Sequence, residues 1–484
     1  MVIHDVSRRR FLREAGTLAA LGAAGSLLPW SRLQASPLPI PGAADWTRYG
    51  YDIHNTRFNV KEKTLGPDNV DRLKLKWQFP VIDGWPIQTT PTVVGDTLFF
   101  GSGGWYYALE SATGKLKWKY ETVVADASAQ SDQNQETRSS CQYVDGKIYF
   151  GDAVANIHAV DAATGKAVWR TVMEEDRRLQ AGMRYSPVVY DGRVIVGDIG
   201  RNPKIACLDA ETGAVRWSWR VGQSMPAEEG LGVGPLWTSA AVDEQQNIVY
   251  NVTGNAKMHM PAGPMLYSNS MVAHDIYTGE FLWGFQAHPQ DSLDYDFCAH
   301  PVLYDAEAPE RGRGDRRFCV VAGTKAGIWC LNRYTGQLYW KVMLGQPSGS
   351  SGPRTDAIAS AYNKVFVQYS SPTSVPAMAV TAALNAYNGD IEWITPNPNQ
   401  SQAPLAVANG LLYQGLVVGG KVEALDVNTG RRLWEYALPS DFRGGASVAN
   451  GALYLSNGEA NVQNRLKPQK GYDYSVYCFT IDGK

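Results

Sequence analysis

The sequence predicts an all-β chain folded as an eight-bladed β-propeller with tryptophan-docking repeats. Three observations lead there. The 484 residues include 48 Gly, 25 Tyr and 15 Trp, a balance of turn formers and aromatics that favours short strands over helices. One pattern recurs with single exceptions at three positions: a small residue, an aliphatic, Asp or Asn, two variable residues, Thr-Gly, three more, then Trp. Its copies lie 41 to 66 residues apart, the period of a propeller blade.

From the N-terminus, residues 1–35 read as an export signal. Ser7-Arg8-Arg9-Arg10-Phe11-Leu12 fills the S-R-R-x-F-L twin-arginine pattern, and an uncharged stretch follows from Ala15 to Leu28. Those 14 residues would span roughly 21 Å as a helix, too short for a bilayer core of about 30 Å. A basic start, a short apolar middle and the small Ala35 make a cleaved twin-arginine signal peptide, not an anchor. Residues 36–44 are a linker, and 45–484 form the propeller. The mature protein is expected to be periplasmic and soluble, with no membrane anchor.

Within 45–484 the repeat ends at Trp118, Trp169, Trp217, Trp283, Trp340, Trp393 and Trp434, with Gly four residues before each Trp. A degenerate copy, L-K-L-K-W, ends at Trp77 without the glycine. Asp-x-x-Thr-Gly is a turn: Gly supplies φ > 0, and Asp or Asn bonds nearby backbone. Another hairpin precedes the unit, as at Gly95–Gly101 and Asp145–Gly151, making four strands per repeat. Eight tryptophans give eight blades, each ring buried between neighbours. The last strands, near Ala452 and Tyr474, would close the ring against the N-terminal segment. A linear solenoid would instead leave open edges and need caps.

Charge and cysteine content exclude several functions. With 45 Lys+Arg against 47 Asp+Glu, the chain has no basic surface for nucleic acid. Its six cysteines include no C-x-x-C and no C-x-x-C-H, which excludes a zinc ribbon and a covalently attached haem.

The opening D-W-T-R-Y-G-Y-D-I-H-N-T-R-F at Asp45, with the repeats behind it, resembles the quinoprotein dehydrogenases. That resemblance implies an eight-bladed propeller holding pyrroloquinoline quinone (PQQ) on its axis and oxidising alcohols or sugars. Four segments carry it. In G-V-G-P-L-W-T-S-A-A-V-D, Trp237 matches the tryptophan that floors the quinone. In I-V-Y-N-V-T-G-N, Asn255 matches the amide ligand of the bound metal. In F-Q-A-H-P-Q-D-S-L-D-Y-D-F, Asp294 falls on the catalytic aspartate. In V-V-A-G-T-K-A-G-I-W-C-L-N, Lys325 matches the cation that bonds the quinone oxygens.

The same resemblance gives Arg138 a cofactor-binding role, and gives the metal Asn255, Asp294, Asp296 and Asn202. Asp294 would be the base, the metal would polarise the quinone carbonyl, and Lys325 would stabilise developing negative charge. Calcium is the favoured ion, with a lanthanide as the alternative. Electrons would leave to a separate cytochrome c or quinone. The substrate would be a secondary, sugar or polymeric alcohol.

The chain departs from the family at three places. The metal-site glutamate that normally follows the V-I-V-G strand is replaced by Asn202 in a gapless reading. The vicinal Cys-Cys is absent, R-S-S-C at Arg138–Cys141 being the nearest sequence. Leu293 stands for the tryptophan before the catalytic aspartate. These features are most similar to the polyvinyl-alcohol-dehydrogenase-like branch. The rival reading is a non-catalytic scaffold like the propeller subunit of the outer-membrane protein assembly machinery.

Overall fold

Each Thr-Gly turn sends the chain back along its own strand, and repetition of that turn sets the architecture. The computed structural model describes residues 42–484, apart from segments at 82–84, 123–136, 176–182, 199–202, 223–233, 256–265, 290, 292–294, 309–314, 326, 344–353, 372–377, 398–402, 417–419, 440–441 and 459–473. The signal-peptide reading, Asn202 and Asp294 therefore lie outside the described residues.

Eight blades of four antiparallel strands make up the fold, seven of them ordered in sequence from first to fourth strand, and blade 7 carries a fifth, parallel strand, Phe58–Asn59, beside its first. Blade 1 has strands Thr92–Val94, Thr97–Ser102, Trp105–Glu110 and Leu116–Glu121. Blades 2 to 7 follow in chain order, their first strands being Gln142–Val144, Val188–Tyr190, Ala241–Asp243, Val302–Glu307, Arg354–Ala361 and Ala406–Ala408. Blade 8 takes three strands from the C-terminal region, Ala446–Ala449, Ala452–Ser456 and Ser475–Ile481. Its outer strand, Leu73–Pro80, comes from the other end and pairs antiparallel with Ser475–Ile481. The expected ring closure is thus present. Among the described residues the only helical element is a 3-10 turn at Val70–Arg72, and no helix is long and apolar enough to cross a membrane.

The docking of the tryptophans follows the repeat. In the Asp161 turn the carboxylate accepts from the Thr164 N–H (2.8 Å) and hydroxyl (2.6 Å), and Gly165 adopts φ +70. The Trp118 ring of the preceding blade lies against that glycine, where a Cβ would come within 2.7 Å of it. The Trp118 indole N–H donates to the Ala162 carbonyl at 3.0 Å. Trp340 and Trp393 repeat the bond onto the next blade through Ala386 and Val427. Trp434 completes the circle onto the Leu73 carbonyl of the closing strand.

One expectation needs correction. Trp77, Trp340, Trp393 and Trp434 are buried, but Trp118, Trp169, Trp217 and Trp283 are half-buried. The rings sit on outermost strands, so a ring that covers the neighbouring glycine still presents an edge at the blade rim.

The N-terminal segment has a role that the repeat does not announce. Residues 46–59 run past the first strands of the blades. Main-chain donors from those strands bond the carbonyls of Trp46, Thr47, Ile53, His54, Thr56 and Arg57 in turn, through Val93, Tyr143, Val242, Leu303, Ser360 and Val407. Arg57 is fully buried, and its guanidinium donates to three main-chain carbonyls, those of Leu405, Tyr49 and Ala446. Asn55 donates to Ala240 and Pro301, and Asn59 to Ala44 and Val448. One short segment so ties blades from both halves of the ring.

Candidate functional site

First strands begin, and second strands end, on the face opposite the Thr-Gly turns. That alternation brings the four matched segments together. Trp237 lies four residues before the first strand of blade 4. Asn255 lies three residues after that blade's second strand, Ile248–Val252. Lys325 lies two residues after the second strand of blade 5, Arg316–Gly323. Asp296 is in the connection between the two blades and is fixed by an antiparallel bridge, Phe297 to Thr324. Around that bridge the Lys325 N–H donates to the Asp296 carbonyl at 3.0 Å, and the Cys298 N–H to the Gly323 carbonyl at 3.0 Å.

At the centre is a buried ion pair. The Lys325 ammonium donates to one Asp296 oxygen at 2.7 Å, with the two side chains 7% and 8% exposed. The other Asp296 oxygen accepts the main-chain N–H of Asn255. Asp296 therefore links blade 4 to blade 5 and balances the charge that Lys325 brings into the interior. A lone ammonium there would be strongly disfavoured.

Trp237 stands beside this pair, and Gly254 lets both come close to the main chain. A Cβ at Gly254 would collide with the Trp237 indole nitrogen and lie 2.8 Å from the Asp296 carboxylate. The sequence reading did not single out Gly254, although it directly precedes Asn255. The guanidinium of Arg184 lies over the Trp237 ring, 5.1 Å from its centroid, and this residue was also missed. Of the predicted site residues, the structure gathers Trp237, Asn255, Asp296 and Lys325. Arg138 is half-buried ahead of the first strand of blade 2. Among the described residues, no group of three or more His, Cys, Asp or Glu side chains is gathered as a metal centre. All six cysteines are free thiols.

A flat aromatic ring and a cation–carboxylate pair beside it suit a planar, polar cofactor. Asn255 and Asp296 add oxygen donors that suit a hard cation.

Two family models match the chain. The family model described as "Glucose/ethanol/alcohol dehydrogenase, beta-propeller domain" matches residues 46–356. A second, "Outer membrane protein assembly factor BamB", matches 268–465. The quinohemoprotein alcohol dehydrogenase ADH-IIG of Pseudomonas putida is 25% identical over 86% of this chain and 67% of its own length. The chain spans only 49% of the quinohemoprotein alcohol dehydrogenase of Comamonas testosteroni, at 28% identity over 67% of this chain. Polyvinylalcohol dehydrogenase of a Pseudomonas species is 25% identical over 93% of this chain and 79% of its own length.

Among solved structures, a europium-containing methanol dehydrogenase has a TM-score of 0.77 at 19% identity, covering 91% of this chain and 98% of that one. BamB from Moraxella catarrhalis has a TM-score of 0.55 at 15% identity, covering 84% and 97%. These likenesses concern the fold. The family match spans more than half of the sequence and includes every gathered site residue, and on that ground the chain belongs to the glucose/ethanol/alcohol dehydrogenase propeller family, the PQQ-dependent quinoprotein dehydrogenases.

Proposed function

We propose that this chain is a periplasmic PQQ-dependent dehydrogenase that oxidises an alcohol (secondary, sugar or polymeric) to a carbonyl. The observation that supports this best is the convergence of Trp237, Asn255, Asp296 and Lys325 at the junction of blades 4 and 5. A scaffold of docked blades has no need for a buried ammonium–carboxylate pair beside a half-buried tryptophan.

PQQ, when bound, supplies the two-electron acceptor. Trp237 offers its planar group an apolar face and keeps water from one side. Lys325, held by Asp296, presents a fixed positive charge where negative charge develops. Asp294 is the base in our reading and takes the proton of the substrate hydroxyl. Asn255 and Asp294 would hold a hard cation, and Asn202 would contribute a neutral oxygen. Asp296 adds its charge to that site while engaged by two protein donors. A divalent ion is therefore the better match, and we favour calcium over a lanthanide. Arg138 belongs to the cofactor's binding shell. Electrons pass to a separate cytochrome c or a quinone, and the twin-arginine leader delivers the protein to the periplasm.

The test is reconstitution of the purified protein with PQQ and either Ca²⁺ or La³⁺, followed by alcohol-dependent dye reduction. Activity with Ca²⁺ supports the proposal. Activity with La³⁺ alone, lost in Asp296→Ala, overturns the choice of calcium. A protein that takes up no PQQ under either condition is a scaffold instead.

A further inference from the structure

The first strands of blades 1 to 4 are held level by a relay of side-chain hydroxyls. The Thr90 N–H donates to Ser140 Oγ at 2.9 Å, the Ser140 N–H to Ser186 Oγ at 2.9 Å, and the Ser186 N–H to Ser239 Oγ at 3.2 Å. Counting back two residues from each member gives Gln88, Arg138, Arg184 and Trp237. Arg184 therefore holds, one blade round, the position that Trp237 holds on blade 4. This equivalence explains why its guanidinium lies over the Trp237 ring.

The charge balance of the site gives that placement a meaning. Lys325 is paired with Asp296 at 2.7 Å, so its ammonium meets a ligand with its charge already shared. PQQ is a planar tricarboxylate, trianionic at neutral pH, and has more carboxylates than one shared ammonium can take. A guanidinium is permanently charged, is planar like the ring beneath it, and bonds a carboxylate with two parallel N–H donors.

We propose that Arg184 anchors the cofactor, its guanidinium taking a PQQ carboxylate at the edge of the Trp237 ring. This rests on the PQQ reading above and deepens it with a residue that the family resemblance did not supply.

The test is titration of the cofactor-free full-length protein with PQQ and, separately, with PQQ trimethyl ester, read by quenching of tryptophan fluorescence. Wild type, Arg184→Ala, Arg184→Lys and the near-isosteric Arg184→Gln are compared, with thermal midpoints as the control on folding. The expected result is a loss of PQQ affinity of roughly ten- to a hundredfold in Arg184→Ala and Arg184→Gln, the scale of one charge-assisted hydrogen bond. Arg184→Lys should lose less, and binding of the uncharged ester should be unchanged in every variant. Equal losses for acid and ester would reduce Arg184 to a support for the Trp237 ring and overturn the proposal. Unchanged or tighter PQQ binding in Arg184→Ala would overturn it too, because the guanidinium would then be irrelevant or in the way. Wild type that binds neither probe would remove the PQQ reading itself, a failure distinct from these.

Discussion

Asp296 was named in the sequence as one ligand among several, and the fold makes it the partner of Lys325. Its two oxygens serve two blades, so its neighbours should respond differently to substitution. Lys325→Ala strands a buried carboxylate; breaking such a pair costs on the order of 3–5 kcal/mol, so denaturant unfolding should shift together with losses of cofactor affinity and turnover. Asp294→Asn should instead leave PQQ uptake intact and lower dye reduction by roughly 10²–10⁴-fold, the contribution of a general base. Near-normal activity in that variant would falsify the assignment of the base.

A third residue sets acid sensitivity. His274 is fully buried against Trp217, Trp219 and Phe281, and burial pushes its pKa from 6.5 down to about 4. The folded protein keeps this ring neutral while the unfolded chain protonates it. Its contribution is therefore fully present above about pH 6.5 and is lost progressively as the pH falls towards 4. The loss is about 3 kcal/mol on the scale of one pKa unit per 1.4 kcal/mol. Urea unfolding at pH 7 and pH 4.5 should show a smaller drop for His274→Phe than for wild type; equal drops would mean that other groups carry the acid effect.

Among elements, the docking turn was the most legible feature, because its own bonds are local: Asp or Asn, Thr and Gly lie within a short window. The Trp that packs on it comes from the preceding blade. Together these predict how the turn fails. Gly389 has φ +80, and a Cβ would stand 2.8 Å from the Trp340 ring. Gly389→Ala therefore meets both strain and a clash, and it should destabilise by at least 1 kcal/mol. Trp340→Phe removes the donor to the Ala386 carbonyl (3.2 Å) and should cost about 1–3 kcal/mol. Both are read from denaturant midpoints. Half-burial of Trp118 and three others was not legible, since rim exposure depends on how far each neighbouring blade extends. Arg184 escaped notice for another reason: it belongs to no Trp-Gly unit, and its equivalence to Trp237 appears only when first strands are aligned by their hydroxyls.

For the whole molecule, the sequence shows that the ring closes but not what braces it. The D-W-T-R-Y-G-Y-D-I-H-N-T-R-F opening was readable as a family mark. Its bonds run to main-chain carbonyls of residues as distant as Leu405 and Ala446, and a carbonyl acceptor has no sequence signature. Arg57 is the test of that brace. Desolvation lowers its pKa to about 10, and three main-chain carbonyls hold the buried guanidinium. Arg57→Ala should cost more than any surface arginine, at least 3 kcal/mol, seen as a lower thermal midpoint.

Closure through Leu73–Pro80 and Ser475–Ile481 also makes the fold a check on its own completeness. The outer strand of blade 8 leaves the ribosome roughly four hundred residues before its partner exists, an extreme of non-local pairing that slows folding. Until Ser475–Ile481 is made, that strand is an unsatisfied edge, open to other chains. A message broken anywhere before the last strand yields a product that cannot seal, however well its earlier blades have formed. A chain that lacks Ser475–Ile481 should therefore be cleaved faster by added protease than the full chain.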